Sequence, residues 1–494
     1  MNYISTRNKS VKVTAAEAIA KGISADGGLF VPDSFPKLSE DDFKSLKQLD
    51  YIGRAKYVLK YFLNDFTEGE VDYCVRGAYT GSFDNDIPAP ISVVGDMNIL
   101  ELWHGPTCAF KDLALQLLPY LLTTSAKKTA AGKKTVILVA TSGDTGKAAL
   151  EGFCDVPDTE IIVFYPSDGV SPMQKLQMDS QKGGNVHVFA IKGNFDDAQT
   201  GVKKIFTDAA VKEKLDENGM QFSSANSINW GRLAPQIVYY VSAYCDLLLK
   251  NADLKDGFNV VVPTGNFGNI LAAYYAKKMG VPINRLICAS NSNNVLTDFI
   301  RTGVYDRNRK FYTTVSPSMD ILISSNLERM LFELSGADDK AVSKMQDELS
   351  KTGTFKVSDG IKEKMSELFW GGCCNDEQTL GTIGKVFGEY GYLCDTHTAV
   401  AVNVYNQYKE QTGDCRTALI ASTASPYKFA DSVLKAVSDK DSGSEFGNVD
   451  LLCDITGAEV PEPIKALEKA EVRFNEVCDK DKMLLAVYSA LGIK

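Results

Sequence analysis

The stretch "VVVPTGNFGNILAAYYAKKMG", residues 260–280, decides the fold. Val260–Val262 form a β-branched apolar run that reads as a buried strand. Pro263 and Thr264 end it, Gly265 and Gly268 make a tight loop, and Asn269 opens an alanine-rich helix. Strand, glycine loop and helix in immediate succession make half of a βαβ unit. The loop also presents backbone N–H groups at a helix N-terminus, where the amides and the positive end of the dipole favour a phosphate. Alone, G-x-x-G is also an ordinary turn. It is not G-x-G-x-x-G, which disfavours a dinucleotide.

The pattern recurs. "TVILVA" (135–140), "TEIIVFY" (159–165), "NVHVFAI" (185–191), "LICAS" (286–290) and "RTALIAST" (416–423) are short apolar runs, and most are followed by a turn and a helical segment. Strands alternating with helices predict an α/β protein with parallel sheets, in enough copies for two lobes. Upstream, "TAAEAIAKGI" and "DYIGRAKYVLKYFLNDF" space their apolar residues helically, so residues 1–95 read as a mixed, mostly helical N-terminal domain. The Pro-, Asp- and Asn-rich turn "SFDNDIPAPI" (82–91) marks its boundary with a second region, 96–494. Residues 334–390 read as a helical insertion, and "SDKDSGSEFGN" (438–448) as a polar surface loop.

Composition narrows the classes. The chain has 494 residues, 44% hydrophobic and 23% charged, as in an ordinary globular protein. A net charge of −10 argues against a nucleic-acid partner, because phosphate neutralisation needs a basic surface. One pocket can still be cationic, so a small anionic substrate remains open. Eleven cysteines without C-x-x-C spacing and only three histidines point to free thiols in a reducing compartment, with no metal site. "MNYISTRNKSVKV" has no apolar signal core, and the uncharged stretch Leu113–Ala126 is too short for a bilayer. A cytoplasmic protein without membrane partners is expected.

Two more junctions resemble the first. In "ILVATSGDTGKAALEGF" (137–153) a strand runs through a Ser/Gly/Asp/Thr loop into a helix. A P-loop would need Gly where Thr141 stands and Ser or Thr where Ala148 stands. In "ALIASTASPYKFADSVLKA" (418–436), Ser422, Thr423 and Ser425 follow a strand. Ligands of open α/β sheets collect at the carboxyl ends of the strands, so the three loops should face one crevice.

"HGPTCAFKDLALQLLPYLL" (104–122) supplies the chemistry. Lys111 lies among apolar neighbours where a helix starts at Asp112, and both conditions disfavour its ammonium form. It is either a snorkelling surface lysine or an amine nucleophilic toward an aldehyde. Together with a phosphate cradle, the second reading points to pyridoxal phosphate held as a Schiff base.

Six motifs then carry a family resemblance: "ADGGLFVP" (25–32), "HGPTCAFKD" (104–112), "ATSGDTGKAA" (140–149), "SSANSINWGRLAPQ" (223–236), "PTGNFGN" (263–269) and "STASPYKF" (422–429). In this order, across nearly the whole chain, the sequence resembles the threonine synthases in their long bacterial and fungal form. The resemblance implies the tryptophan-synthase β-like (fold-type II) fold of pyridoxal phosphate enzymes, with an added N-terminal domain. It implies that Lys111 bears the cofactor, that Gly265, Asn266, Phe267, Gly268 and Asn269 hold its phosphate, and that Thr423 faces its ring nitrogen. Ser142, Gly143, Asp144 and Thr145 would cover the substrate carboxylate; Ser227, Asn229 and Arg232 would take the substrate phosphate. Two positions depart from the family pattern, Ser425 for a common histidine and Thr396 for a usual proline. The implied reaction converts O-phospho-L-homoserine and water to L-threonine and phosphate, in a monomer or weak homodimer. A phospho-lyase of the same fold, releasing a keto acid, and a non-catalytic pyridoxal phosphate binder are the alternatives.

Overall fold

The computed structural model describes residues 1–84, 87–129, 132–141, 143–167, 170–250 and 254–493. Two sheets organise them. The larger has six strands in the spatial order Phe369–Cys373, Ile283–Ser290, Phe258–Pro263, Ala418–Ser422, Met97–Glu101, Ile91–Val94. All its neighbours are parallel except the last pair, an antiparallel hairpin turning at Gly95. The second sheet is fully parallel, in the order Val477–Asp479, Val186–Lys192, Thr159–Pro166, Lys134–Ala140, Met220–Ser223.

Each of the six apolar runs forms a strand. Every residue of Phe258–Pro263 and Ala418–Ser422 is buried, as expected where helices cover both faces of a parallel sheet. The strands that the apolar pattern did not announce lie at or beside sheet edges. Met220–Ser223 and Ile91–Val94 are largely half-buried, and so carry weaker runs.

The N-terminal segment holds the helices Ala15–Lys21, Glu40–Leu46, Tyr51–Phe62 and Glu68–Tyr79, and Tyr3–Ser5, Asn8–Val13 and Phe30–Pro32 pair into an antiparallel sheet. It docks through aromatic side chains: Trp230 meets Tyr3 at 5.3 Å and Phe62 at 5.6 Å between ring centroids. Trp230 begins the long buried helix Trp230–Leu249, so this contact fixes where that helix starts. Residues 334–390 hold the helices Asp339–Thr352, Asp359–Leu368 and Asp376–Tyr390, but also the edge strand Phe369–Cys373. The polar loop at 438 ends sooner than expected, since a helix capped by Ser444 begins at Glu445.

Candidate active site

Lys111 stands immediately before the short helix Asp112–Leu115. Asp112 builds its approach: the carboxylate accepts from the Thr107 N–H at 2.8 Å and from the Thr107 hydroxyl at 2.6 Å. Burial pushes the Asp112 carboxyl up to about 6 even against these bonds. The segment is also laced to the end of strand Ala418–Ser422. Phe110 donates its N–H to the Thr423 carbonyl at 2.9 Å, and Ser425 donates to the Cys108 carbonyl at 3.0 Å.

The Lys111 amine is buried, 4.9 Å above the Phe110 ring, 3.3 Å from Asp144 Oδ2 and 3.4 Å from Ser318 Oγ. Desolvation holds its pKa below the ordinary lysine value, and the nearby cations Lys428 and Arg232 act in the same direction against Asp144. The predicted deprotonation bias is therefore present, although a carboxylate touches the amine.

Asp144 opens the helix Asp144–Phe153 and its carboxylate is fully engaged. Oδ1 takes the Lys428 ammonium at 2.8 Å and Gln174 Nε2 at 3.0 Å; Oδ2 takes Lys111 and, at 3.2 Å, the Ser318 hydroxyl. Burial raises this carboxyl, but Lys428 and Lys111 together outweigh burial and hold it well below the usual carboxylate range. The Asp144 side chain is thus taken up by the two lysines, and what the described part of this loop offers an anion is its backbone N–H groups at the helix start. Gly143 is buried at φ 148° beside Gln174, a conformation that favours glycine. Thr145 is half-buried, and Ser142 lies outside the described residues.

The glycine loop lies across from it. Ser324 donates to the Gly265 carbonyl at 2.8 Å and the Asn326 N–H to the Asn266 carbonyl at 3.0 Å, so the loop is braced from behind. Its left-handed residue is Phe267, at φ 62°, and neither glycine. Gly265 is required by closeness, because a Cβ there would stand 2.8 Å from the Ser318 carbonyl; at Gly268 the nearest atom is 3.4 Å away. Asn269 accepts from the Tyr240 hydroxyl at 2.5 Å, while its buried Nδ2 has no partner among the described residues. An orphaned donor beside the amides of the helix Gly268–Lys278 fits a phosphate.

On the substrate side the three expected donors part company. Asn229 caps the helix Trp230–Leu249: its Oδ1 accepts from the Gly231 N–H, and its Nδ2 donates to the carbonyls of Ile19 and Ser224. With its carboxamide consumed, Asn229 is not a ligand donor, which corrects that expectation. Ser227 Oγ is 3.4 Å from Ser325 Oγ. Arg232 is buried at 4% exposure, gives one bond to the Ala225 carbonyl at 2.9 Å, and its Nε has no partner among the described residues. Burial brings its pKa down to about 10.

Sequence reasoning missed the supporting groups. Lys428 lies within "STASPYKF" yet gives no sign there that it is buried. Ser318 enters from the short 3-10 helix Pro317–Met319 and donates its N–H to His397 Nε2 at 3.2 Å, while His397 Nδ1 faces Asp395 Oδ2 at 2.7 Å. Both departures from the family pattern are accommodated: Thr396 occupies the first position of a helix capped by Asp395, and Ser425 accepts from the Tyr427 N–H.

Three family profiles match: "Threonine synthase N terminus" over residues 2–79, "Pyridoxal-phosphate dependent enzyme" over 99–355, and "Threonine synthase, C-terminal" over 398–487. Threonine synthase from Pseudomonas aeruginosa is 38% identical over 438 residues, covering 88% of this chain and 90% of that one. The chain belongs to the threonine synthase family of pyridoxal-phosphate-dependent enzymes. The crystal structure of PLP-bound threonine synthase from Brucella melitensis superimposes on this family member with a TM-score of 0.88 at 35% identity, over 99% of both chains. Human threonine synthase-like 1 is 41% identical over 459 residues, 89% of this chain; the chain spans 61% of that relative's length.

Proposed function

We propose that the chain converts O-phospho-L-homoserine and water to L-threonine and phosphate. The observation that carries this reading is Arg232, a buried guanidinium with an orphaned Nε, no ion pair among the described residues, and a charge felt at Lys111. An uncompensated buried cation costs several kcal/mol on the order-of-magnitude scale, and a phosphorylated substrate removes that cost.

In this reading Gly265, Asn266, Phe267, Gly268 and Asn269 hold the cofactor phosphate, Lys111 bears the cofactor and Thr423 faces its ring nitrogen. A neutral hydroxyl there does not enforce ring protonation. Ser142, Gly143 and Thr145, with the Asp144 N–H, receive the substrate carboxylate at the start of a helix. Ser227 and Arg232 hold the substrate phosphate, and Asn229 fixes the helix start beneath them.

When bound, pyridoxal phosphate supplies an electron-withdrawing ring that stabilises negative charge at the substrate carbons. Lys111 Nζ takes the substrate Cα proton and then shuttles protons at Cβ and Cγ as general base and acid. Arg232 compensates the charge on the phosphate as it leaves Cγ, and water adds at Cβ. The same reading holds the protein to be a cytoplasmic monomer or weak homodimer without nucleic-acid or membrane partners. In support, the net charge is −10, and no helix among the described residues is long and apolar enough to cross a membrane.

The test is product analysis with O-phospho-L-homoserine. Threonine and phosphate in equal amounts are expected. Phosphate with a keto acid would make the protein a phospho-lyase, and cofactor binding without either product would make it a non-catalytic binder.

A further inference from the structure

The site holds two buried lysines and one carboxylate between them. Asp144 Oδ1 is 2.8 Å from Lys428 Nζ, and Asp144 Oδ2 is 3.3 Å from Lys111 Nζ. The Lys428 side chain is 0% exposed, and its ammonium also donates to the Thr107 carbonyl at 2.8 Å. That carbonyl belongs to the residue Asp112 clamps, so Lys428 is anchored to the approach segment of Lys111 itself.

We propose that Lys428 is a positioning residue for Lys111: it is the resident counter-ion of Asp144, and it keeps that carboxylate from locking Lys111 as an ammonium. The inference rests on the reading of Lys111 as the cofactor lysine.

Charge balance explains why a second lysine is needed. With Lys111 neutral, the Lys428–Asp144 pair is itself neutral. With Lys111 protonated, the group carries a net positive charge in a buried site, which is disfavoured. Without Lys428, Asp144 would face Lys111 alone. An unopposed carboxylate 3.3 Å from the amine, in a buried site where charges are weakly screened, would hold the proton on it. Arg232 lies on the same side of the balance as Lys428. The remaining neighbours do not replace it. Asp112 and Cys108 are on the lysine's own segment, and the Ser318 hydroxyl accepts from Lys111 while donating to Asp144. Behind Ser318, His397 accepts at Nε2 and faces Asp395 through Nδ1, with Asp320 beyond.

The full chain, stripped of cofactor, is labelled with trace acetic anhydride across a pH series, and Lys111 acylation is read by peptide mass spectrometry against exposed lysines. Wild type is expected to show a midpoint below the ordinary lysine value of about 10.4. Lys428→Met should raise that midpoint by about 1–3 pH units, the size of shift caused by an opposite charge at contact. Lys428→Arg, which keeps the charge, should restore it; a purely structural lysine would not give this order. Asp144→Asn leaves the cations unbalanced and should lower the midpoint, which keeps the proposal falsifiable if Lys428→Met does not fold. An unchanged midpoint in Lys428→Met, equal shifts in Met and Arg, or no fall in Asp144→Asn would each overturn it. Borohydride trapping with pyridoxal phosphate, mapped on wild type, separates this failure from an error about Lys111: an adduct on another lysine refutes the cofactor assignment whatever the midpoints do.

Discussion

Phe110 donates its backbone N–H to the carbonyl of Thr423 at 2.9 Å. This bond joins the residue before Lys111 to the loop after strand Ala418–Ser422, so the amine and the Thr423 side chain are set on one frame. Asp144, at the start of a helix that follows a strand of the second sheet, and Ser318, in the short 3-10 helix Pro317–Met319, then reach the same amine.

Borohydride reduction of the holoprotein should fix the cofactor on the peptide containing Lys111. Lys111→Ala should still bind pyridoxal phosphate noncovalently through the phosphate loop, while turnover falls by several orders of magnitude. Peptide mapping and stopped-time product assays check the two halves.

The two loop glycines should behave unequally. A Cβ on Gly265 would meet the Ser318 carbonyl at 2.8 Å, whereas Gly268 has 3.4 Å to a side-chain nitrogen. Gly265→Ala should therefore weaken cofactor affinity clearly more than Gly268→Ala, measured by equilibrium titration. Equal affinities would place the phosphate elsewhere.

Arg232→Met should lose about 2–4 kcal/mol of transition-state stabilisation with the phosphorylated substrate, the scale for removing one partner of a desolvated charge pair. Because this cation is buried with no carboxylate partner among the described residues, the melting temperature should hold or rise. The comparison is kcat/KM with O-phospho-L-homoserine against an analogue with an uncharged leaving group. Equal losses would make Arg232 structural.

Asp112→Asn tests a raised carboxyl. The folded-state pKa of about 6 exceeds the unfolded value of about 3.9, so the native state binds the proton more tightly. Wild-type stability contributed by this group is greatest below pH 4 and declines as pH rises through 6. The variant, which can still accept from the Thr107 N–H and donate to its hydroxyl, lacks that decline. The melting temperature of Asp112→Asn minus wild type should increase from pH 4 to pH 6 and then level off; a flat difference would show that the proton is not held.

The sequence by itself determined the six central strands, the three strand–loop–helix junctions and the lysine at a helix start. These are local patterns: a strand buried on both faces is an unbroken apolar run, and a glycine loop at a helix N-terminus is contiguous in the chain. Short edge strands such as Val477–Asp479 escaped, because half-exposed residues do not form such runs. Only the tertiary structure decided which polar groups remain free. Asn229 and Arg232 are three positions apart and read alike, yet the Ile19 and Ser224 carbonyls consume the first while, among the described residues, no carboxylate pairs with the second. Likewise, nothing local to Lys111 announces Asp144, Ser318 or Lys428. Ion pairing and desolvation depend on distances between residues far apart in sequence, and those distances exist only once the two sheets are packed together.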